Sequence, residues 1–86
     1  MKNQKLYSEF EDLIGRLGLR ILNGKGDFFG GSCIVNNEKV IVINKLKPIE
    51  QRLKILVNSI ADYNLDDIYI VPALREYIEN SKPNKF

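Results

Sequence analysis

Four consecutive aliphatic residues, Val40, Ile41, Val42 and Ile43, constrain this chain more than any other feature. β-branched residues at every position favour a strand, and in a strand successive side chains point to opposite faces. Both faces of this strand are therefore apolar, and other elements must cover it. Upstream, Ser32, Cys33, Ile34 and Val35 form a second segment of strand character. Between the two, the only chain-reversal signal is Asn36-Asn37, residues that tolerate positive φ, so a hairpin is expected. A two-residue loop sets Val35 opposite Glu38, Ile34 opposite Lys39 and Cys33 opposite Val40; a longer loop would shift every pair and swap the faces.

Helical periodicity brackets this ribbon. Leu6, Phe10, Leu13, Ile14 and Leu17 fall on one stripe of a helix expected over residues 4–17. Ser8 and Glu11 have capping-box spacing, which makes a later start at Ser8 the alternative. Gly15 costs such a helix about 1 kcal/mol relative to alanine, and Gly18 is a natural stop. A short strand is expected at residues 19–22, with Leu19 and Ile21 on one face and Arg20 and Leu22 on the other. Ile49, Leu53, Leu56, Val57 and Ile60 repeat the stripe in a second helix that opens at Pro48 and stops near Asn64. Ile68, Tyr69, Ile70 and Val71 read as an edge strand or extended segment. Pro72 opens a short third helix through Leu74, Tyr77 and Ile78. The expected fold class is α+β: a small three- to four-stranded antiparallel or mixed sheet, two amphipathic helices packed on it and a short C-terminal helix. Residues 1–80 form a single domain in this reading, and residues 81–86 a flexible tail.

Eighty-six residues suffice for one small core and not for two. A hydrophobic fraction of 44% against 28% charged is that of a folded chain rather than a disordered one. No apolar run approaches the roughly 20 residues that span a bilayer. No signal-type apolar core follows the opening residues, so a cytoplasmic protein without a membrane partner is expected. The single cysteine, Cys33, has no internal disulfide partner and rules out a Cys-cluster metal site. Within a β-branched strand it reads as a small core residue. Histidine is absent. With it go the commonest general base, the commonest zinc ligand and the usual partner of nucleophilic Ser or Cys. No catalytic residue, metal site or cofactor is assigned, and a non-enzymatic role is expected.

Two stretches carry candidate binding chemistry. Gly24, Lys25, Gly26 and Asp27, followed by Phe28-Phe29 and then Gly30 and Gly31, form a glycine-rich loop of the kind whose backbone N–H groups cradle anions. Its spacing is not that of a P-loop, and a strand rather than a helix follows, so the dipole that assists phosphate binding is missing. The plainer reading is a structural loop with one aromatic ring inward and the other at the surface. Lys45, Lys47, Arg52 and Lys54 gather four positive charges against Glu50 at the start of the second helix, while Asp62, Asp66 and Asp67 gather at its end. Both placements oppose the helix macrodipole, so stability alone did not select them. A site for an anion or acidic partner is the reading set against a solvated face. Arg75 is a further candidate for anion or partner binding, with an exposed pair to Glu79 as the alternative. Tyr63, Tyr69 and Tyr77 read as core and boundary packing. The net charge of +2 is too small to argue for nucleic acid by itself.

The order helix, strand, glycine-rich turn, hairpin and basic-opening helix resembles the start of small zincin domains of the ImmA/IrrE type. In that family the strand matching residues 40–44 is the edge of the substrate cleft. The next helix carries His-Glu-x-x-His, two imidazoles one turn apart on zinc with a glutamate base. Aligned on residues 57–62, the first His and the Glu fall on Asn58 and Ser59 and the second His on Asp62. The resemblance thus implies a degenerate zincin-like domain without catalytic residues. The stretches GKGDFFGGSC, KVIVINK and IYIVPALRE are similar to short uncharacterised single-domain bacterial proteins, a likeness that implies no activity. The expected role is a protein-interaction or regulatory module in which a protein partner or a homodimer completes the cover of the apolar strand. The alternative is an anion-binding module contacting nucleic acid or a phosphorylated ligand through residues 45–54.

Overall fold

A computed structural model describes residues 2–81 of the chain. In order it forms α1 (Asn3–Arg16), β1 (Arg20–Gly24), β2 (Gly30–Val35), β3 (Glu38–Asn44), α2 (Ile49–Ser59) and α3 (Pro72–Ser81). The fold is α+β, with a three-stranded mixed sheet in the order β1-β3-β2.

A hairpin and a crossover build the sheet. Asn36 and Asn37 take φ of 51° and 67°, the left-handed pair of a type I′ turn, whose twist matches that of the flanking strands. The antiparallel register is the one a two-residue loop dictates, with Val35 opposite Glu38, Ile34 opposite Lys39 and Cys33 opposite Val40. β1 lies on the other side of β3 and parallel to it, Ile21 opposite Ile41 and Asn23 opposite Ile43. The apolar run is therefore the middle strand, paired along both edges. The ImmA/IrrE resemblance implies a strand bordering a cleft, whereas here β1 and β2 occupy both hydrogen-bonding edges of β3.

Alternation divides β3 between two environments. Ile41 and Ile43 are fully buried and join one cluster with Leu6, Phe10, Leu13 and Ile14 of α1, Leu53, Leu56 and Val57 of α2, and Leu74 and Ile78 of α3. All three helices thus turn their stripes to the same side of the sheet. Tyr77 meets Phe10 edge to face, with ring centroids 6.3 Å apart. Val40 and Val42 point the other way and lie outside that cluster.

Helix ends follow local hydrogen bonding. α1 closes where Gly18, at φ 82°, donates to the Gly15 carbonyl (3.0 Å) and Leu19 donates to Ile14 (3.1 Å). This two-bond cap places its turning residue in the left-handed region, where glycine is unstrained. Ser8 lies inside α1, so the later start is not used. α2 stops at Ser59 rather than near Asn64. Ser59 Oγ donates back to Ile55 O (2.7 Å), and Asn64 Oδ1 accepts from the Asp66 amide (2.9 Å), forming an Asx turn instead of a helical one. Glu50 does not pair with Lys54, four residues on; its Oε2 accepts from Asn3 Nδ2 of α1 at 3.2 Å.

Residues 68–71 do not enter the sheet. They form an extended strap that buries Ile70, leaves Tyr69 69% exposed and offers the Tyr69 carbonyl to Arg16 Nη1 at 2.8 Å. α3 continues to Ser81, the first residue of the tail expected from sequence. The remainder of that tail, residues 82–86, lies outside the described residues. Cys33 is exposed rather than a core residue. It lies on the edge strand, on the side of the sheet opposite the helices, where its partner Val40 on the central strand is buried.

Candidate functional site

The two stretches singled out by composition meet at one end of the sheet. β1 and β3 run parallel and finish together, with Gly24 opposite Asn44. The glycine-rich loop must therefore pass around the end of β3 to reach β2, at the point where β3 leaves for α2. Asn44 holds this crossing. It is 1% exposed, its Nδ2 donates to the carbonyls of Gly26 (2.8 Å) and Phe28, and its Oδ1 accepts from the Leu46 amide at 3.0 Å. Lys45 N donates to Gly24 O at 2.8 Å and ties the same two segments together.

This arrangement defines the loop's chemistry. Gly26 and Phe28 turn carbonyls inward onto an amide donor, and carbonyl oxygens repel anions. Phe28 packs its ring over Gly24 and Gly26, while Phe29 is 73% exposed, the inward and outward pair expected from sequence. Gly30 is required where it stands: at φ 103°, a Cβ on it would lie 2.5 Å from the Val42 carbonyl oxygen. Lys25, Gly26 and Asp27 are exposed, and Gly31 continues β2 in half-buried surroundings. The loop is a clasp built around Asn44.

Of the basic residues, three line one cleft of about 170 Å3 beside that clasp: Lys47, Arg52 and Lys54. Its apolar walls are Phe29, Ile43 and Ile55, and Asn44 and Gln51 complete it. Lys47 Nζ stands 5.0 Å from the centre of the Phe29 ring. Arg52 is the most constrained of the three. Its Nε donates to Lys47 O at 3.0 Å, and its guanidinium lies 5.2 Å from the Tyr7 ring centre. Lys45 is exposed on the turn beyond β3 and does not line the cleft. Arg75 is not part of this group. It borders a separate cavity of about 200 Å3 formed by the end of α2, residues 60–70 and α3, together with Tyr63, Asp66 and Ile78. Arg75 and Glu79 both line that cavity.

Tyr7 is a neighbour that sequence reading missed. Its hydroxyl is buried without a hydrogen-bond partner among the described residues. Burial pushes its phenol above the ordinary value, the charge of Glu11 adds to the shift, and Arg52 opposes it. Spacing offers a partial signal, because Tyr7 follows Leu6 at the margin of the α1 stripe. Asn44 was legible only as a polar residue ending an aliphatic run; nothing local says which carbonyls it will find.

Among the described residues no three His, Cys, Asp or Glu side chains come together as ligands. Asn58 is exposed, Ser59 spends its hydroxyl on Ile55, and Asp62 falls beyond the end of α2. The positions aligned with the zincin motif therefore do not share one helix, which ligands one turn apart require. No helix among the described residues is long and apolar enough to cross a membrane. Compared with family models, with curated proteins and with solved structures, the chain matches none.

Proposed function

We propose that this chain is a non-enzymatic protein-interaction or regulatory module of the cytoplasm that joins a second copy of itself through the side of its sheet away from the helices. The observation that carries this is the asymmetry of the sheet. Away from the helices lie Leu22 and Val35, 40% and 42% exposed, with Val42 half-buried between the outer strands. Beside them runs β2, an edge strand whose residues from Phe29 to Val35 include no charge and no proline. Proteins normally blunt such an edge, because its free N–H and C=O groups are a template for another strand. The opposite edge, β1, opens with Arg20, which pairs with Glu38 at 3.5 Å across the same side of the sheet. Two β2 edges related by a two-fold axis pair antiparallel and would continue the sheet across both copies. A degenerate zincin-like domain is compatible with this role, since Asn58, Ser59 and Asp62 provide neither imidazole ligands nor a glutamate base.

Sedimentation velocity over a wide concentration range tests the proposal. The unmodified chain is expected to form a reversible dimer, and Val35→Lys, which places a charge on the edge strand at a 42% exposed position on the side away from the helices, to remain monomeric with unchanged unfolding. A chain that stays monomeric at every concentration contradicts self-pairing.

A second reading, an anion-binding module contacting nucleic acid or a phosphorylated ligand, is favoured by one observation: Lys47, Arg52 and Lys54 converge on a single cleft that no Asp or Glu lines. Oligonucleotide binding at low salt that weakens as salt rises would support it in its nucleic-acid form. Binding that is absent or indifferent to salt would exclude that form.

A further inference from the structure

We infer that the cleft between Phe29 and α2 is a binding site for a small organic monoanion whose apolar body is about one aromatic ring in size, an aryl carboxylate being the simplest member of the class. This rests on the anion-binding reading of the same cleft and goes beyond it by fixing the ligand's size and character.

Size comes first. A cavity of roughly 150 Å3 lined by aliphatic and aromatic groups holds one benzene, and this cleft measures about 170 Å3. Sites for drug-sized ligands occupy about 300–1,000 Å3, so a nucleotide is too large to be enclosed. Character follows from the walls. Half-buried Ile55 supplies aliphatic surface and Phe29 a ring edge or face, with fully buried Ile43 behind them, and these surfaces favour an apolar body. Around them stand three cations and no carboxylate. A neutral hydrocarbon would leave those charges unused, and inorganic phosphate would leave the apolar floor wet.

Arg52 supplies the preorganisation. The Tyr7 ring and the Lys47 carbonyl hold its guanidinium, and beyond the Nε bond to that carbonyl and the interaction with the Tyr7 hydroxyl its five donors leave terminal N–H groups in the planar fork that matches a carboxylate. A guanidinium stays charged at any physiological pH. Less side-chain freedom is lost on binding when the fork is already held. Lys54 and Lys47 stand at the same cleft as mobile point charges.

Amide chemical shifts of the full chain, followed during titration with sodium benzoate, test the inference. Saturable shifts confined to Phe29, Gln51, Arg52 and Ile55 are expected. Neutral benzamide should bind about tenfold more weakly, as loss of one charge-assisted pair implies. Lys54→Gln should weaken benzoate several-fold, while Lys45→Gln, outside the cleft, should leave it unchanged. Arg52→Gln should abolish binding with the hairpin shifts intact. Benzamide binding as well as benzoate, or no saturable shift with either, overturns the inference. Inorganic phosphate or an oligonucleotide shifting the same amides as strongly as benzoate also overturns it while preserving the broader anion-binding reading. If none of these anions moves a resonance, both fail together.

Discussion

The two sides of β3 are built from nearly the same residues and do opposite things. Ile41 and Ile43 point into the cluster formed by three helices and are fully buried. Val40 and Val42, one position away in each case, point to the side no helix covers, next to Leu22, Val35 and Cys33. Val40 is nevertheless only 1% exposed, so this side is closed at Val40 and open at Leu22 and Val35. The difference teaches that an aliphatic run specifies a strand and its central place, but not how many layers will cover it. Burial on the helix side is a matter of tertiary packing.

Substitutions on each side should separate these roles. The largest effect is expected at Ile43, where truncation to alanine opens a cavity in the cluster and costs about 2–5 kcal/mol in chemical unfolding. Asn44→Ala comes next, at about 1–3 kcal/mol, because it orphans the Gly26 and Phe28 carbonyls and the Leu46 amide at a fully buried position. Hydrogen exchange should then show the glycine-rich loop loosened while the helices stay protected. On the uncovered side, Leu22→Thr should change monomer stability by less than about 1 kcal/mol yet weaken self-association. A loss as large as that of Ile43→Ala would mean the two sides are not distinct.

Two smaller effects sharpen the comparison from the helix side. Gly15 sits in α1 with nothing within 4 Å of an added Cβ, so Gly15→Ala should stabilise the chain by about 0.4–1 kcal/mol without touching association. Tyr7→Phe should be close to neutral at pH 7, since the hydroxyl has no hydrogen-bond partner. Its signature is in alkali. A phenol whose folded pKa is raised keeps its proton while the unfolded chain loses it, so stability falls as pH rises through about 10. In Tyr7→Phe that decline should be shallower.

Much of the fold was legible because local signals agreed. The Asn36-Asn37 pair fixed a two-residue turn, and the register of the hairpin followed from it. The stripes of the first two helices named their buried residues. What failed was what depends on distant partners. Ile68, Tyr69, Ile70 and Val71 have strand composition, but no sheet edge receives them, and Arg16 takes the Tyr69 carbonyl instead. Cys33 is exposed because β2 is an edge strand with a neighbour on one side only, a place in the sheet that strand composition does not reveal. At the candidate site, charge clustering singled out Lys47, Arg52 and Lys54, which line one cleft. It did not reveal that Arg75 belongs to another cavity, nor that Phe29, Asn44 and Tyr7 shape the cleft, since those contacts join segments far apart in sequence.

Amide hydrogen exchange along β2 at low and high protein concentration tests self-pairing through the uncovered sheet most directly. Alternate amides of an edge strand point away from its neighbour and exchange freely unless another strand receives them. Protection at those positions that grows with concentration, and disappears in Val35→Lys, is the expected result. Fast exchange there at every concentration, with the amides facing β3 fully protected, would contradict it.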